Sequence, residues 1–447
     1  MNIYQEKDLA YIWHPCSQMK DYEDFPPIVI EKGEGVYLYD VNGKCYLDCI
    51  SSWWTNLFGH SNKRINQALQ NQVEHLEHVV FANFSNKPAI TLAENLVAIT
   101  PEPLKKVYFS DNGSSAVEVA LKMSFHYHQI KGNTKKTKFT AISDAYHGET
   151  LGALSVGDLD LYSKIYKPLL MDTIRVAGPD CYRCKYGENR EHCNAQCFEH
   201  MEKVIEDHHE DLCGVIIEPM VQGAGGMKIY SPVYLQKLRK ICDAYDIHFI
   251  ADEIAVGFGR TGTMFACEHG NVSPDLMCLS KGITAGYMPM SVVMMTQAIY
   301  DAFYADYRER KTFIHSHTYA GNALACAVAC ESLKIFEEEN ILHKNKEKSQ
   351  LIKDLALSRA NNHPYIGEIR QLGMITAVEL VKDKYTKESF PWEDRVAYYI
   401  AKIGLNHGMI LRPMNNSIYF MPPYIIEQKD IEKMVHTTFD CIDAYFK

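Results

Sequence analysis

Two kinds of apolar spacing divide the chain. Residues 27–48 alternate (Ile28-Val-Ile-Glu-Lys-Gly-Glu-Gly-Val-Tyr-Leu-Tyr-Asp-Val-Asn-Gly-Lys-Cys-Tyr-Leu-Asp48), which predicts a small antiparallel meander with Asn42-Gly43 as a hairpin turn. From about residue 60 helical stretches at 64–78, 88–99, 115–129, 197–209 and 232–245 alternate with short apolar runs. Those runs are Val107–Ser110, Phe139–Ser143, Cys213–Glu218, His248–Asp252, Leu276–Ser280 and Ser291–Thr296. Such alternation predicts an α/β domain around a largely parallel sheet. Past about residue 335 the chain becomes charged and helical (Ile335–Ser358). Strand candidates at Gly373–Leu380 and Ser417–Met421 and a last helix at 427–445 follow. The expected division is an N-terminal segment (1–60) joining a smaller lobe, a large α/β domain (61–334) and a C-terminal α+β lobe (335–447).

Composition narrows the function. The chain has 447 residues, 47% of them hydrophobic, and a formal net charge of −10 with Lys and Arg scattered. That argues against a nucleic-acid footprint, which would be a basic stripe. The first fifteen residues carry Glu6, Lys7 and Asp8 and no apolar signal core, and no apolar run approaches the ~18 residues of a membrane span. A cytoplasmic enzyme is expected. Of 14 cysteines, several lie in apolar segments (Cys213, Cys278, Cys326, Cys330) and read as small buried hydrophobes. Four cluster as Cys181-x-x-Cys184 and Cys193-x-x-x-Cys197. That spacing is open to a zinc site, to disulfides and to a reduced surface loop.

Candidate chemistry collects at the ends of the apolar runs. Lys281 follows the run Leu276–Ser280 and precedes a glycine turn. Burial there would lower its pKa and free the amine as a nucleophile, although a lysine after a strand is more often an ordinary solvated residue. Asp252 closes the run His248–Asp252, one strand–helix–strand spacing upstream. Tyr108-Phe-Ser-Asp-Asn-Gly113-Ser114-Ser115 reads as a strand end, a polar turn and a helix start, hence an anion site or a plain helix cap. Ser143-Asp-Ala-Tyr146-His147-Gly148-Glu149 offers an aromatic for stacking or for packing. Glu218-Pro219 precedes a glycine loop, and Val256-Gly-Phe-Gly259-Arg260-Thr-Gly262 reads as a flexible loop carrying a cation.

In that order, Glu218-Pro with its glycine loop, Ile250-Ala-Asp252-Glu253, Gly257-Phe-Gly-Arg-Thr-Gly262, Ser280-Lys281-Gly and His317-Thr318-Tyr-Ala-Gly321-Asn322 resemble the class III, fold-type I pyridoxal-phosphate aminotransferases. The resemblance covers nearly the whole chain. It implies that Lys281 holds pyridoxal 5'-phosphate covalently and moves protons beside it, and that Asp252 pairs with the ring nitrogen. It also implies that Gly113 and Ser114 take the phosphate, joined by Thr318 of the partner subunit with His317 beside it, and that Tyr146 covers the ring. A homodimer with shared active sites follows.

The ends of the chain place it nearer one branch. Ile12-Trp-His-Pro15, Ser51-Ser-Trp53-Trp54, Leu411-Arg412-Pro413 and Ile418-Tyr419-Phe-Met-Pro-Pro-Tyr424 resemble the biotin-pathway members, which aminate 8-amino-7-oxononanoate. On that resemblance Trp53, Trp54 and Tyr419 line a slot for the aliphatic chain, Arg412 takes its carboxylate, and Cys16 and Ser316 stand at substrate-contacting positions. S-adenosylmethionine is the expected donor, with lysine as the alternative and an ω-amino acid or diamine transaminase as a further one. Three positions depart from the branch: Cys16 where tyrosine is usual, Glu149 where aspartate is frequent, and Ser316 where glycine is common. The stretch Arg308–Asn322, with its Lys311-Thr-Phe-Ile-His-Ser-His317, resembles the lysine-using members. The resemblance supports a loop without an obligatory metal at Cys181–Cys197.

Overall fold

A seven-stranded sheet forms the centre of the computed structural model, which describes residues 1–447. Its spatial order is Leu104–Ser110, Ser291–Thr296, Leu276–Leu279, His248–Asp252, Leu212–Ile217, Lys138–Ile142 and Ile174–Val176. Neighbours are parallel except at Ser291–Thr296, which is antiparallel to both of its own. Helices cover both faces, so the central strands are buried throughout and read in sequence as unbroken apolar runs. The carboxyl ends of five strands (Ser110, Ile142, Ile217, Asp252, Leu279) consequently meet on one edge, where α/β sheets bind ligands.

Short polar side chains start the covering helices. Asn112 Oδ1 accepts the Ser115 N–H at 3.1 Å and opens Gly113–Ile130 directly after a strand. Asn86 does the same for Lys87–Ile99, and Ser231 followed by Pro232 opens Pro232–Tyr245.

The two ends of the chain share a sheet. Ile30–Glu34, Tyr37–Asp40 and Cys45–Asp48 form the expected meander, with Gly43 at φ +81° in the hairpin. Met409–Ile410 then pairs in parallel with Leu47 and Asp48. A further antiparallel sheet, Ile366–Leu372, Ile375–Leu380 and Ser417–Phe420, is backed by the helices Ile341–Ala360 and Val396–Asn406, on which Gln428–Tyr445 packs in turn. No helix is long and apolar enough to cross a membrane.

Several elements differ from the sequence expectation. The helix expected over 64–78 ends at Val73. The helical stretch Ile335–Ser358 is two helices, Ala323–Glu338 and Ile341–Ala360, separated at Asn340, whose φ of +50° ends the first. A lobe boundary between 334 and 335 therefore falls inside a helix. The strand Ile366–Leu372 carries a buried Arg370 paired with Glu379 at 2.8 Å, and that polar content hid it. The helix Val396–Asn406 was also not anticipated.

Candidate active site

A cavity of about 530 Å³ opens at the carboxyl edge of the sheet, lined among others by Gly113, Ser114, Tyr146, Asp252, Lys281 and Trp54. Lys281 stands two residues past the strand Leu276–Leu279, with φ at +45° in the left-handed region. A lysine adopts that conformation only where the surroundings hold it. Ser280 anchors the turn by donating its hydroxyl to the Met290 carbonyl at 2.7 Å. Burial pulls the Lys281 ammonium below its ordinary pKa, while Asp252 and Glu218 pull the other way. The amine lies 5.1 Å from the centre of the Trp54 ring.

Three acid–base groups stand behind it. His147 Nδ1 is 2.7 Å from Asp252 Oδ2, and Asp252 Oδ1 accepts the Ile254 N–H at 3.1 Å. The other His147 nitrogen is buried without a partner. Glu218 accepts the N–H groups of Tyr146 (3.0 Å) and Gly223 (2.9 Å), and so fixes the loop that presents Tyr146. Burial pushes the Glu218 carboxyl up to about 7, with His147 opposing and Asp252 adding to the rise.

The anion turn is built from the start of the helix Gly113–Ile130. Asn112 takes the Ser115 N–H, which leaves the first amides facing the cavity. Glu149 donates its N–H to Ser114 Oγ at 3.2 Å. Gly148 makes this approach possible: its φ is +119°, and a Cβ there would sit 2.0 Å from Ser114 Oγ.

At the mouth, Tyr146 donates its hydroxyl to Glu149 at 2.9 Å and packs against Tyr162 with ring centres 5.3 Å apart. Cys16 Sγ lies 3.8 Å from the same carboxylate. Burial and Glu149 push the Cys16 thiol up, with Arg412 opposing. Burial and Glu149 likewise raise the Tyr146 hydroxyl. The Arg412 guanidinium rests on the Trp53 ring, 3.9 Å from its centre, and forms no salt bridge.

Trp53 and Trp54 come from an unusual turn. Ser51, Ser52, Trp53 and Trp54 all have left-handed φ, at +51°, +45°, +68° and +73°. Such a conformation costs roughly 1–2 kcal/mol per residue outside glycine. Ser51 donates its hydroxyl to the Met421 carbonyl at 2.7 Å, and Trp54 Nε1 donates to the Tyr419 hydroxyl at 2.8 Å. Tyr419 is therefore behind Trp54 and 1% exposed, rather than lining the slot as expected. Arg260 is also a correction. It is no cation on a flexible loop but a fully buried strut, donating to the carbonyls of Trp54, Asn56 and Pro422 at 3.0–3.1 Å.

Seven expected residues are absent from the cavity lining: Cys16, Trp53 and Arg412 at its mouth, Tyr419 behind Trp54, and Ser316, His317 and Thr318 on a separate loop. Ser316 and Thr318 are exposed on one loop, and His317 between them bonds Asp111 Oδ2 at 2.8 Å. Cys181, Cys184, Cys193 and Cys197 are free thiols, half-buried, and no three His, Cys, Asp or Glu side chains are arranged as a metal site. Burial pushes Cys181 up to about 12 and Cys197 up to about 11. Their loop is tied down by Arg183–Glu379 (3.0 Å) and Lys228–Asp180 (3.3 Å).

Sequence reasoning left His147, Glu218 and Tyr162 out of the site. Glu218 was named as a strand-end carboxylate and His147 beside Tyr146, but neither was given a role, and their placement at strand ends was the signal. Tyr162 carried no signal, because only the fold brings it to Tyr146.

The class III aminotransferase family model matches residues 18–442, and the chain belongs to that family of pyridoxal-phosphate-dependent transaminases. It is 46% identical over 438 residues, 96% of each chain, to the Geobacter sulfurreducens protein named adenosylmethionine-8-amino-7-oxononanoate aminotransferase. The crystal structure of the protein of that name from Methanocaldococcus jannaschii has a TM-score of 0.94 at 38% identity, covering 99% of both chains. The omega transaminase of Pseudomonas jessenii, solved in complex with PMP, gives 0.94 at 32% identity, over 100% of this chain and 98% of its own. The donor set fits the family's cofactor: a buried amine for its aldehyde, a carboxylate for its ring nitrogen and helix-start amides for its phosphate.

Proposed function

We propose that the protein converts 8-amino-7-oxononanoate to 7,8-diaminononanoate in biotin biosynthesis, with S-adenosyl-L-methionine as amino donor. The observation that carries this reading is Arg412, a cation held on Trp53 at the mouth with no carboxylate of its own. A planar guanidinium in that position takes a substrate carboxylate bidentately, and the neighbouring Trp54 offers an apolar surface to the aliphatic chain. The names of the relatives support the same acceptor and donor.

When bound, the cofactor supplies an aldehyde for the amine and a ring that accepts electron density. Lys281 Nζ would hold the aldehyde and, once free, would take up and return the proton at the reacting carbon. Asp252 would hold a proton at the ring nitrogen, and His147 orients Asp252. Gly113 and Ser114 would hold the phosphate, with Thr318 of the partner subunit, beside the partner's His317, completing its contacts in the dimer. Tyr146 would cover the ring and keep water away, and Glu218 accepts the N–H groups of Tyr146 and Gly223 that shape this side of the site. Cys16 and Ser316 border the substrate. The two half-reactions alternate at this one site, the donor leaving before the acceptor enters.

The assembly we propose is a homodimer. Tyr304, Tyr307 and Ile314 are 79%, 92% and 81% exposed on the segment that leads to Ser316 and Thr318, an apolar surface suited to a second copy.

Lysine is a second donor reading, favoured by Glu149. Its carboxylate faces the cavity beside the small Cys16 and could pair with a side-chain ammonium. Turnover of 8-amino-7-oxononanoate with each donor tests both readings. Diaminononanoate is expected with S-adenosylmethionine. Formation with lysine alone would replace the donor, and no product with either donor, alongside brisk reaction with a simple ω-amino acid, would sink the acceptor.

A further inference from the structure

Asp48 lies outside the cavity and is bonded to the turn that carries Trp53 and Trp54. Its carboxylate is fully buried. Oδ1 accepts the N–H groups of Ser52 (3.0 Å) and Ile50 (3.3 Å), and Oδ2 accepts the Ser52 hydroxyl at 2.7 Å. His60 Nε2 completes the set at 3.0 Å. The His60 tautomer is fixed from the other side: Asn56 donates its amide to His60 Nδ1 at 3.0 Å, which leaves Nε2 as the donor to Asp48. Bonds from His60 and Ser52 outweigh the burial penalty and hold the Asp48 carboxyl below its ordinary range.

Two segments meet at this residue. On its own chain, the left-handed turn Ser51–Trp54 begins three residues later. Across the sheet, Asp48 is the register partner of Ile410, two residues before Arg412. The turn places Trp53 and the neighbouring strand places Arg412, and the two are joined by the 3.9 Å stacking contact. A run of four left-handed, non-glycine residues does not persist unaided. Ser52 has the smallest positive φ of the four, and it is the residue that Asp48 grips by both backbone and side chain.

We propose that Asp48 is a positioning residue for substrate recognition: by clamping Ser52 it holds the left-handed turn that aims Trp53 at Arg412, and so sets where the acceptor carboxylate is received. This rests on the reading of Arg412 as that receiver. The cofactor is held elsewhere, at Lys281, Asp252 and the Gly113 turn, so loosening the clamp should weaken acceptor binding while leaving the cofactor in place.

The test uses the holoenzyme and three variants, Asp48→Asn, Ser52→Ala and Asp48→Asn/Ser52→Gly, with acceptor KM, kcat and bound-cofactor absorbance measured on each. Asp48→Asn is expected to raise the acceptor KM about tenfold, with kcat at saturation within about twofold and the cofactor band unchanged. Ser52→Ala, a milder lesion that spares the fold, removes only the 2.7 Å bond and is expected to raise KM about threefold. Glycine takes a positive φ without strain, so the double variant should recover most of the loss. A carboxylate-free keto acceptor should show no KM change in any variant. Unchanged KM in Ser52→Ala, an equal rise for the carboxylate-free acceptor, or a double variant no better than Asp48→Asn overturns the proposal. Should the wild type not aminate 8-amino-7-oxononanoate, the proposed function fails separately. The KM comparison then runs on whichever carboxylate-bearing acceptor it does turn over.

Discussion

His147 Nδ1 stands 2.7 Å from Asp252 Oδ2, with both side chains closed off from water. An aspartate in that position has two oxygens to orient, and the Ile254 N–H fixes only one of them. His147→Ala is expected to lower kcat about thirtyfold, the equivalent of about 2 kcal/mol, and to weaken cofactor retention on dialysis. His147→Asn, which keeps a donor near Asp252, should lose less. Equal rates for the alanine variant and the wild type would remove His147 from the site.

Lys281→Ala should abolish turnover, by about 10³-fold or more, while the fold stays intact by circular dichroism. Asp252 and the Gly113 turn remain, so the variant should still bind pyridoxal phosphate, reversibly and without the borohydride-fixable bond. Near-normal turnover would refute the lysine's role.

Arg412→Ala should raise the acceptor KM about 30- to 150-fold, the loss expected for a charge-assisted pair worth roughly 2–3 kcal/mol. Arg412→Lys should recover only part of this, because an ammonium neither stacks on Trp53 in the same way nor meets a carboxylate with two parallel donors. Steady-state kinetics with varied acceptor separate the outcomes. A kcat loss at unchanged KM would place Arg412 elsewhere in the reaction.

Glu218 carries a pH signature. Its folded pKa of about 7 lies above the usual carboxylate value, so between about pH 4.5 and 7 the folded state holds a proton that the unfolded state has released. Stability is highest below that window and falls as pH rises through it. Glu218→Gln cannot release a proton, so its stability relative to wild type should improve by about 2–3 kcal/mol between pH 5 and pH 8 in chemical denaturation. A constant difference across that range would mean that Glu218 is ionised throughout.

The parallel sheet and the strand-end chemistry were readable because local pattern and local turn residues specify them. Asp252, Lys281 and the Gly113–Ser114 turn each sit at the end of an apolar run, and the runs come to one edge because the strands are parallel. Residues whose meaning lies in a distant partner were not readable. Tyr419 looks like a slot residue until its hydroxyl is found holding the Trp54 indole, 365 residues away in sequence. Arg260 looks like a mobile cation until its guanidinium is found against three carbonyls. The left-handed turn at Ser51–Trp54 defeats local reasoning altogether, since serine and tryptophan have no preference for that conformation. Its bonds to Asp48, Met421, Tyr419 and Arg260 explain it.

The pairing of Cys45–Asp48 with Met409–Ile410 has a consequence for biosynthesis. The ribosome delivers the first strand some 360 residues before its neighbour, and Ser51 and Trp54 wait longer still for Met421 and Tyr419. The central sheet can assemble while translation continues, but the tryptophan pair acquires its shape only as the last segments emerge. The recognition end of the molecule is thus the last part to be made, and a prematurely terminated chain carries the lysine and its aspartate without the means to choose a substrate.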